Sequence, residues 1–284
     1  MDLLQNKCYF IMKKSENDHF QPIKECFYNI YKDKMAEMNA NLEFNIAGES
    51  HKGCVREANE DNFCYVSLYP GYLLAAVADG VGGHTGGDIA SYLCCHRLIL
   101  DWKELFREQK NPPDAFLARF LAESIQRANW DICSANYEKK NRLPMCTTLA
   151  AAVFTPDMVI AAHVGDSRIY CCRNGVCRQI TVDHTVQNEL MEQGVTNPSL
   201  VPGAHVISQA LGASGRVKPE IHTYFRNPSD RYLLCTDGLT YCWSEQEIGR
   251  NLMQSPTPRA ANDKFICNTL FRGAGDNITV ISIF

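Results

Sequence analysis

The 284 residues exceed what one ordinary domain needs and suit one large domain or a domain with an appendage. With 45% hydrophobic and 10% aromatic residues, whole-chain disorder is excluded. The 28 Lys and Arg against 32 Asp and Glu leave a formal net charge of −4, and without a basic run the chain is not expected to bind nucleic acid. No apolar stretch approaches the ~18–20 residues of a membrane helix. Met1–Lys7 is broken by polar residues too early for a secretory signal. The expectation is a soluble, cytoplasmic, monomeric protein.

Along the chain, residues 1–43 stand apart: they mix Lys, Glu, Asn and aromatics without a strand-like run, and Ile23, Phe27 and Ile30 follow helical spacing. They read as an N-terminal extension of unknown role, and 44–284 as one domain. Strands are predicted at Tyr72–Ala78, Thr148–Phe154, Met158–Val164, Arg168–Cys172, Arg231–Cys235 and Ile278–Phe284. TLAAAVF-TPD-MVIAAHV has the form of a hairpin, and RIYCC-RNG-VCRQI repeats it with Asn174-Gly175 at the turn. Helices are predicted at Gly87–Phe106, Asp114–Tyr137, Ser244–Met253 with a Ser244/Glu247 capping box, and Pro258–Phe271. Hairpin-joined strands imply antiparallel sheets, and amphipathic helices must then cover their outer faces. The fold class is α+β, a layered sandwich. Strands such as YLLAAVA, apolar on both faces, suit a sheet buried on both sides.

The 14 cysteines form no C-x-x-C pair, so structural zinc is not expected. Several sit inside apolar runs, as in SYLCCHRLIL and YLLCTDG, where cysteine acts as a small hydrophobe. Free thiols are expected throughout.

Four aspartates share one kind of address. Asp79, Asp166 and Asp237 each end an apolar strand, and Asp276 immediately precedes another. A single Asp-Gly at a strand end is ordinarily a turn. Four such positions, with Glu60-Asp61, instead point to carboxylates crowding one rim, where anions repel unless protonated or neutralised. Oxygen donors without His or Cys suit Mg²⁺ or Mn²⁺. In Gly53–Asn62, Arg56 offers a fork that matches phosphate, or else pairs with Glu57 or Glu60 on the surface. Asp79 opens the Gly-rich turn Asp79–Gly87, and such a turn lets a backbone carbonyl approach a metal. His84 there either bonds locally at a helix start or supplies a proton near neutral pH.

VREANEDN, VADGVGGHTGGDIAS, TTLAAAV, HVGDSRIY, ITVDHT, LLCTDGL and GAGDNITVI occur in this order. Together they resemble the signatures of the metal-dependent serine/threonine protein phosphatases (PPM, type 2C) in their compact bacterial form, over about 44–284. The resemblance implies a β-sandwich of two antiparallel sheets flanked by helices, four layers in all. It implies two Mg²⁺ or Mn²⁺ ions and hydrolysis of phosphoserine and phosphothreonine by a metal-activated water. By motif, Asp79 would bridge both ions, with the Gly80 carbonyl on one. Asp237 and Asp276 would complete one shell, while Glu60 and Asp61 would serve the other. Asp166 would hold a weaker third ion. Arg56 would grip the phosphate, and His84 would protonate the leaving oxygen. Thr147-Thr148 and Ser167-Arg168 would be structural. Partners would be phosphoproteins, among them a serine/threonine kinase or its substrates. The chain departs from the pattern at Ser208-Gln209-Ala210-Leu211-Gly212, where bacterial relatives commonly carry an arginine, beside a flap around 185–205. Two alternatives remain: a phosphatase of small phosphate esters, and a silent module that docks phosphoproteins.

Overall fold

The computed structural model describes residues 44–81, 86–139 and 143–284. The predicted extension 1–43 and His84 lie outside the described residues. Two five-stranded antiparallel sheets form the frame. One is built from β2 (Asn62–Tyr69), β3 (Tyr72–Ala78), β6 (Leu149–Phe154), β7 (Met158–Val164) and β10 (Glu220–Phe225), in the order β10-β7-β6-β3-β2. The other comprises β1 (Ile46–His51), β8 (Arg168–Arg173), β9 (Val176–Gln179), β11 (Arg231–Cys235) and β12 (Ile278–Ile283), in the order β1-β12-β11-β8-β9. A two-residue ladder, β4 (Gly80–Val81) with β5 (Cys146–Thr147), stands apart.

Strand alternation explains why YLLAAVA is apolar on both faces. Leu73, Ala75 and Val77 face the sandwich interior with Phe154, Ile169, Tyr232 and Ile281. Leu74, Ala76 and Ala78 point the other way, against Leu98 and Trp102 of α1 (Gly87–Glu108) and Leu121 and Ile125 of α2 (Asp114–Lys139). Two short helices follow: α3 (Val186–Glu192), whose N-cap Thr185 accepts from the Asn188 N–H, and α4 (Asp237–Thr240) just after β11. On the opposite flank, α5 (Glu245–Gln254) and α6 (Pro258–Phe271) bury Ile248, Leu252, Phe265 and Ile266 against Leu233, Ile278 and Val280. The predicted capping box is present: Ser244 accepts from the Glu247 N–H, and the Glu247 carboxylate accepts from the Ser244 N–H. The four predicted helices agree with those observed to within two residues at each end.

The sequence missed β1, β2 and β10. The edge strand β10, EIHTYF, shows why: half its residues face solvent, so it carries no apolar run. Both predicted hairpins form, with Asn174 and Gly175 at φ 51° and 79° in the second. One cysteine expectation is corrected. Cys172 and Cys177 are opposite each other across that hairpin and are joined as a disulfide. The register of the turn, invisible as a sequence spacing rule, brings these two together. The other ten described cysteines are free. Among the described residues, no helix is long and apolar enough to cross a membrane.

Candidate metal centre and phosphate site

The aspartates converge as their addresses predicted. β3 and β7 run in the same direction in one sheet, so Asp79 and Asp166 leave it at one rim, where Asp61 enters β2. From the other sheet, β11 ends and β12 begins at that rim, bringing Asp237 at the start of α4 and Asp276. Each member of the group is thus fixed by a strand end.

Hydroxyls and amides hold these backbones in place. The Asp79 N–H donates to Thr148 Oγ1 (3.1 Å), and the Asp79 carbonyl accepts from the Thr148 N–H (2.8 Å) and Thr147 Oγ1 (2.9 Å). Thr148 Oγ1 in turn lies 2.7 Å from Ser167 Oγ, so the structural reading of both pairs fits. Asp61 Oδ2 accepts from Thr236 Oγ1 (2.9 Å), just after β11, and from Thr279 Oγ1 (2.7 Å) on β12. Asn277 joins three segments: its Oδ1 accepts from the Glu60 N–H, and its Nδ2 donates to the carbonyls of Lys52 and Ala58. Close backbone approach requires glycine at two points. A Cβ on Gly238 would lie 1.9 Å from the Asn277 carbonyl oxygen, and one on Gly80 2.3 Å from that of Gly87 and 2.6 Å from that of Glu60.

This gathering is electrostatically unfavourable without a cation. Burial, then the charges of Asp61, Asp237, Asp166 and Asp276, push the Asp79 carboxyl well above its ordinary range. Burial pushes Asp61 up to about 7 against its two threonine hydrogen bonds, and pushes Asp166 up to about 7 with Asp237 adding to it. Asp237 is raised by burial and by Asp276, and Glu60 by burial and by Asp88. Asp61 Oδ1 and Asp237 Oδ1 are buried without a hydrogen-bond partner. Orphaned anionic oxygens amid further carboxylates, with no imidazole or thiol among the described members of the group, fit hard divalent ions.

Arg56 reaches the group but through a different partner than either expected glutamate: its Nη2 donates to Asp276 Oδ2 at 2.6 Å. Asn277, next to Asp276, accepts from the Glu60 N–H and so ties the Arg56-bearing loop to the Asp276 backbone. Arg168, two residues after Asp166, makes its ion pair elsewhere. It binds both carboxylate oxygens of Asp183, at 2.6–3.0 Å, so Asp166 is left with a backbone hydrogen bond and, among the described residues, no ion pair. Sequence reasoning missed Tyr241, whose hydroxyl bonds the Asp237 carboxylate and whose own pKa is pushed up chiefly by that charge. It also missed Thr236, Thr279 and Asn277. Position could have found Tyr241: four residues after Asp237, it follows one helical turn on the same face. At the departure from the family pattern, Leu211 pairs its N–H and carbonyl with Thr147, so the segment is docked without the arginine.

A β-sandwich with carboxylates from both sheets gathered at one rim has the donor set of a divalent-metal protein. Residues 47–271 match the model of the protein phosphatase 2C family. A serine/threonine phosphatase, Stp, of Listeria monocytogenes is 34% identical over 239 residues, 82% of this chain and 92% of that protein. PstP of Mycobacterium tuberculosis is 33% identical over 251 residues, which span 46% of its length. Its crystal structure superposes with a TM-score of 0.73 at 30% identity, covering 85% of this chain and 98% of that one. The PstP catalytic domain in complex with two manganese ions gives 0.70 at 31% identity, over 84% and 97%. The chain belongs to the protein phosphatase 2C family and is a metal-dependent serine/threonine protein phosphatase.

Proposed function

We propose that this rim is the catalytic centre, with Asp79 shared between two Mg²⁺ or Mn²⁺ ions and the Gly80 carbonyl beside it. Asp237 and Asp276 serve one ion, Glu60 and Asp61 the other. The observation that carries the assignment is the pair of orphaned buried oxygens on Asp61 and Asp237 amid mutually repelling carboxylates. Ions bound there supply Lewis acidity and an activated water. Arg56, half exposed beside Asp276, is placed to turn its fork to a phosphoryl group once Asp276 has another cation to face. His84, between Asp79 and α1 in sequence, donates the proton that the leaving serine or threonine oxygen needs. Tyr241 holds Asp237, and Thr236 and Thr279 hold Asp61, so these groups orient ligands without touching substrate.

Substrates on this reading are phosphoproteins, a serine/threonine kinase or its targets among them, met by a monomer. The decisive assay measures phosphate release from phosphothreonine peptides and from small phosphate esters, with and without Mn²⁺. Turnover of esters alone would favour the small-substrate alternative, and no metal-dependent turnover would leave only a docking module.

A further inference from the structure

His163, His184 and Glu220 belong to no part of the carboxylate centre, yet three separate elements converge to bring them together. His163 on β7 pairs directly with Glu220 on β10, so both side chains share one face. His222, two residues further along β10, lies on that face too, its Nε2 2.5 Å from Glu220 Oε1. His184 arrives from the segment after β9. Its N–H donates to the Gly165 carbonyl and its carbonyl accepts from the Ser208 N–H, both at 2.9 Å. Its ring packs on that of His163 with centroids 4.5 Å apart.

The donor atoms are spaced for a single ion. His163 Nε2 and His184 Nε2 lie 3.8 and 3.6 Å from Glu220 Oε2. Among the described residues, this is the one group of three His, Cys, Asp or Glu side chains with a ligating atom from each within 4.8 Å of the others. Ligands ~2.0–2.2 Å from a tetrahedral zinc stand only slightly closer, at about 3.3–3.5 Å. Exposure rises from 1% at His163 through 11% at His184 to 36% at Glu220, which gives a solvent entry path.

We propose that His163, His184 and Glu220, with His222 at the rim, form a second metal site, for Zn²⁺ or a similar transition-metal ion. Two neutral imidazoles and one carboxylate select such ions over Mg²⁺ and Mn²⁺, which prefer oxygen. Burial lowers the pKa of both His163 and His184, which keeps the rings in the form that ligates. Two hydrogen bonds oppose the ion. His163 Nε2–H donates to the Val182 carbonyl (2.6 Å), and His184 Nδ1 accepts from the Gly165 N–H (3.3 Å). A ring ligating through Nε2 carries its proton on Nδ1, so both contacts are surrendered. Losing them leaves the Val182 carbonyl and the Gly165 N–H without these partners, a cost the ion must exceed. Coordination by three donors at once offsets both losses. The expectation of no structural zinc looked for cysteine pairs; these donors come from strands that only tertiary structure joins.

The test uses the full chain with saturating Mn²⁺ to fill the carboxylate centre, and Co²⁺ as the probe, followed by its visible d–d absorption. One equivalent of tetrahedral Co²⁺ should bind without a thiolate charge-transfer band and be displaced by Zn²⁺. His184→Ala and Glu220→Gln should each weaken Co²⁺ at least tenfold, while Asp237→Asn leaves its affinity within twofold. Glu220 lies on an edge strand and is partly exposed, so Glu220→Gln decides the matter if His184→Ala unfolds. The proposal is overturned by absence of the tetrahedral band, by a thiolate band, or by unchanged affinity in Glu220→Gln.

Discussion

Without metal, Asp61 should destabilise the fold it occupies. Burial shifts its pKa from 3.8 to about 7, roughly three pKa units. At 1.36 kcal/mol per unit, the ionised carboxylate costs the metal-free native state about 4 kcal/mol above pH 7. The sign follows from linkage. A folded pKa above the unfolded one favours the native state fully below pH ~4, and that contribution is lost as pH rises from ~4 through ~7. Asp61→Asn removes the titration while its carbonyl oxygen can still accept from Thr236 and Thr279. For a domain of this size 1 kcal/mol moves Tm by about 2–4 °C, so the variant in EDTA at pH 8 gains up to about 8–16 °C. Thermal unfolding of both proteins in EDTA from pH 5 to 8 is the assay, read as the difference in Tm. Histidines titrate in both and cancel, whereas Asp79 loses the repulsion of the Asp61 charge in the variant, which adds to the gain. The difference should widen with pH and shrink or reverse with Mn²⁺, which stabilises wild type by mass action at a site the variant has weakened. A variant no more stable than wild type in EDTA at pH 8, or a difference that is flat with pH, would refute the buried-charge reasoning.

Asp79→Asn should remove most turnover at any practical Mn²⁺ concentration, whereas Asp237→Asn and Asp276→Asn should be partly rescued by excess metal; metal-activation curves on a phosphopeptide separate the cases. Arg56→Ala should act chiefly on KM, because it removes a ground-state phosphate contact. His84→Ala should lower kcat on alkyl phosphates by about 10²–10⁴-fold and matter much less for p-nitrophenyl phosphate, whose leaving group hardly needs a proton; equal losses on both exclude the acid role. Asp166→Ala should abolish a weak calorimetric Mn²⁺-binding phase and leave the tight phase, since Asp166 has neither Arg168 nor a strand neighbour holding its carboxylate. An unchanged titration with a lowered Tm would make Asp166 structural.

The sequence by itself determined the helices, the central strands and the rim carboxylates. Each depends on local chemistry: apolar periodicity over one element, a capping box within four residues, an aspartate where an apolar strand stops. Asp79, Asp166, Asp237 and Asp276 were visible because a carboxylate at a strand end can be recognised without knowing which strand lies beside it. What depended on neighbours was not visible. The edge strand β10 has no apolar run, because half its residues, on both faces, are exposed. Arg56 chose Asp276 over the adjacent glutamates because Asn277 ties the 52–60 loop to β12. Cys172 meets Cys177 only in the register of the β8–β9 hairpin. His163, Glu220 and His184 converge only once β7 pairs with β10 and the segment after β9 folds back on Gly165. Local pattern sets which residues are charged, apolar or turning, while pairing register and sheet packing decide which of them touch.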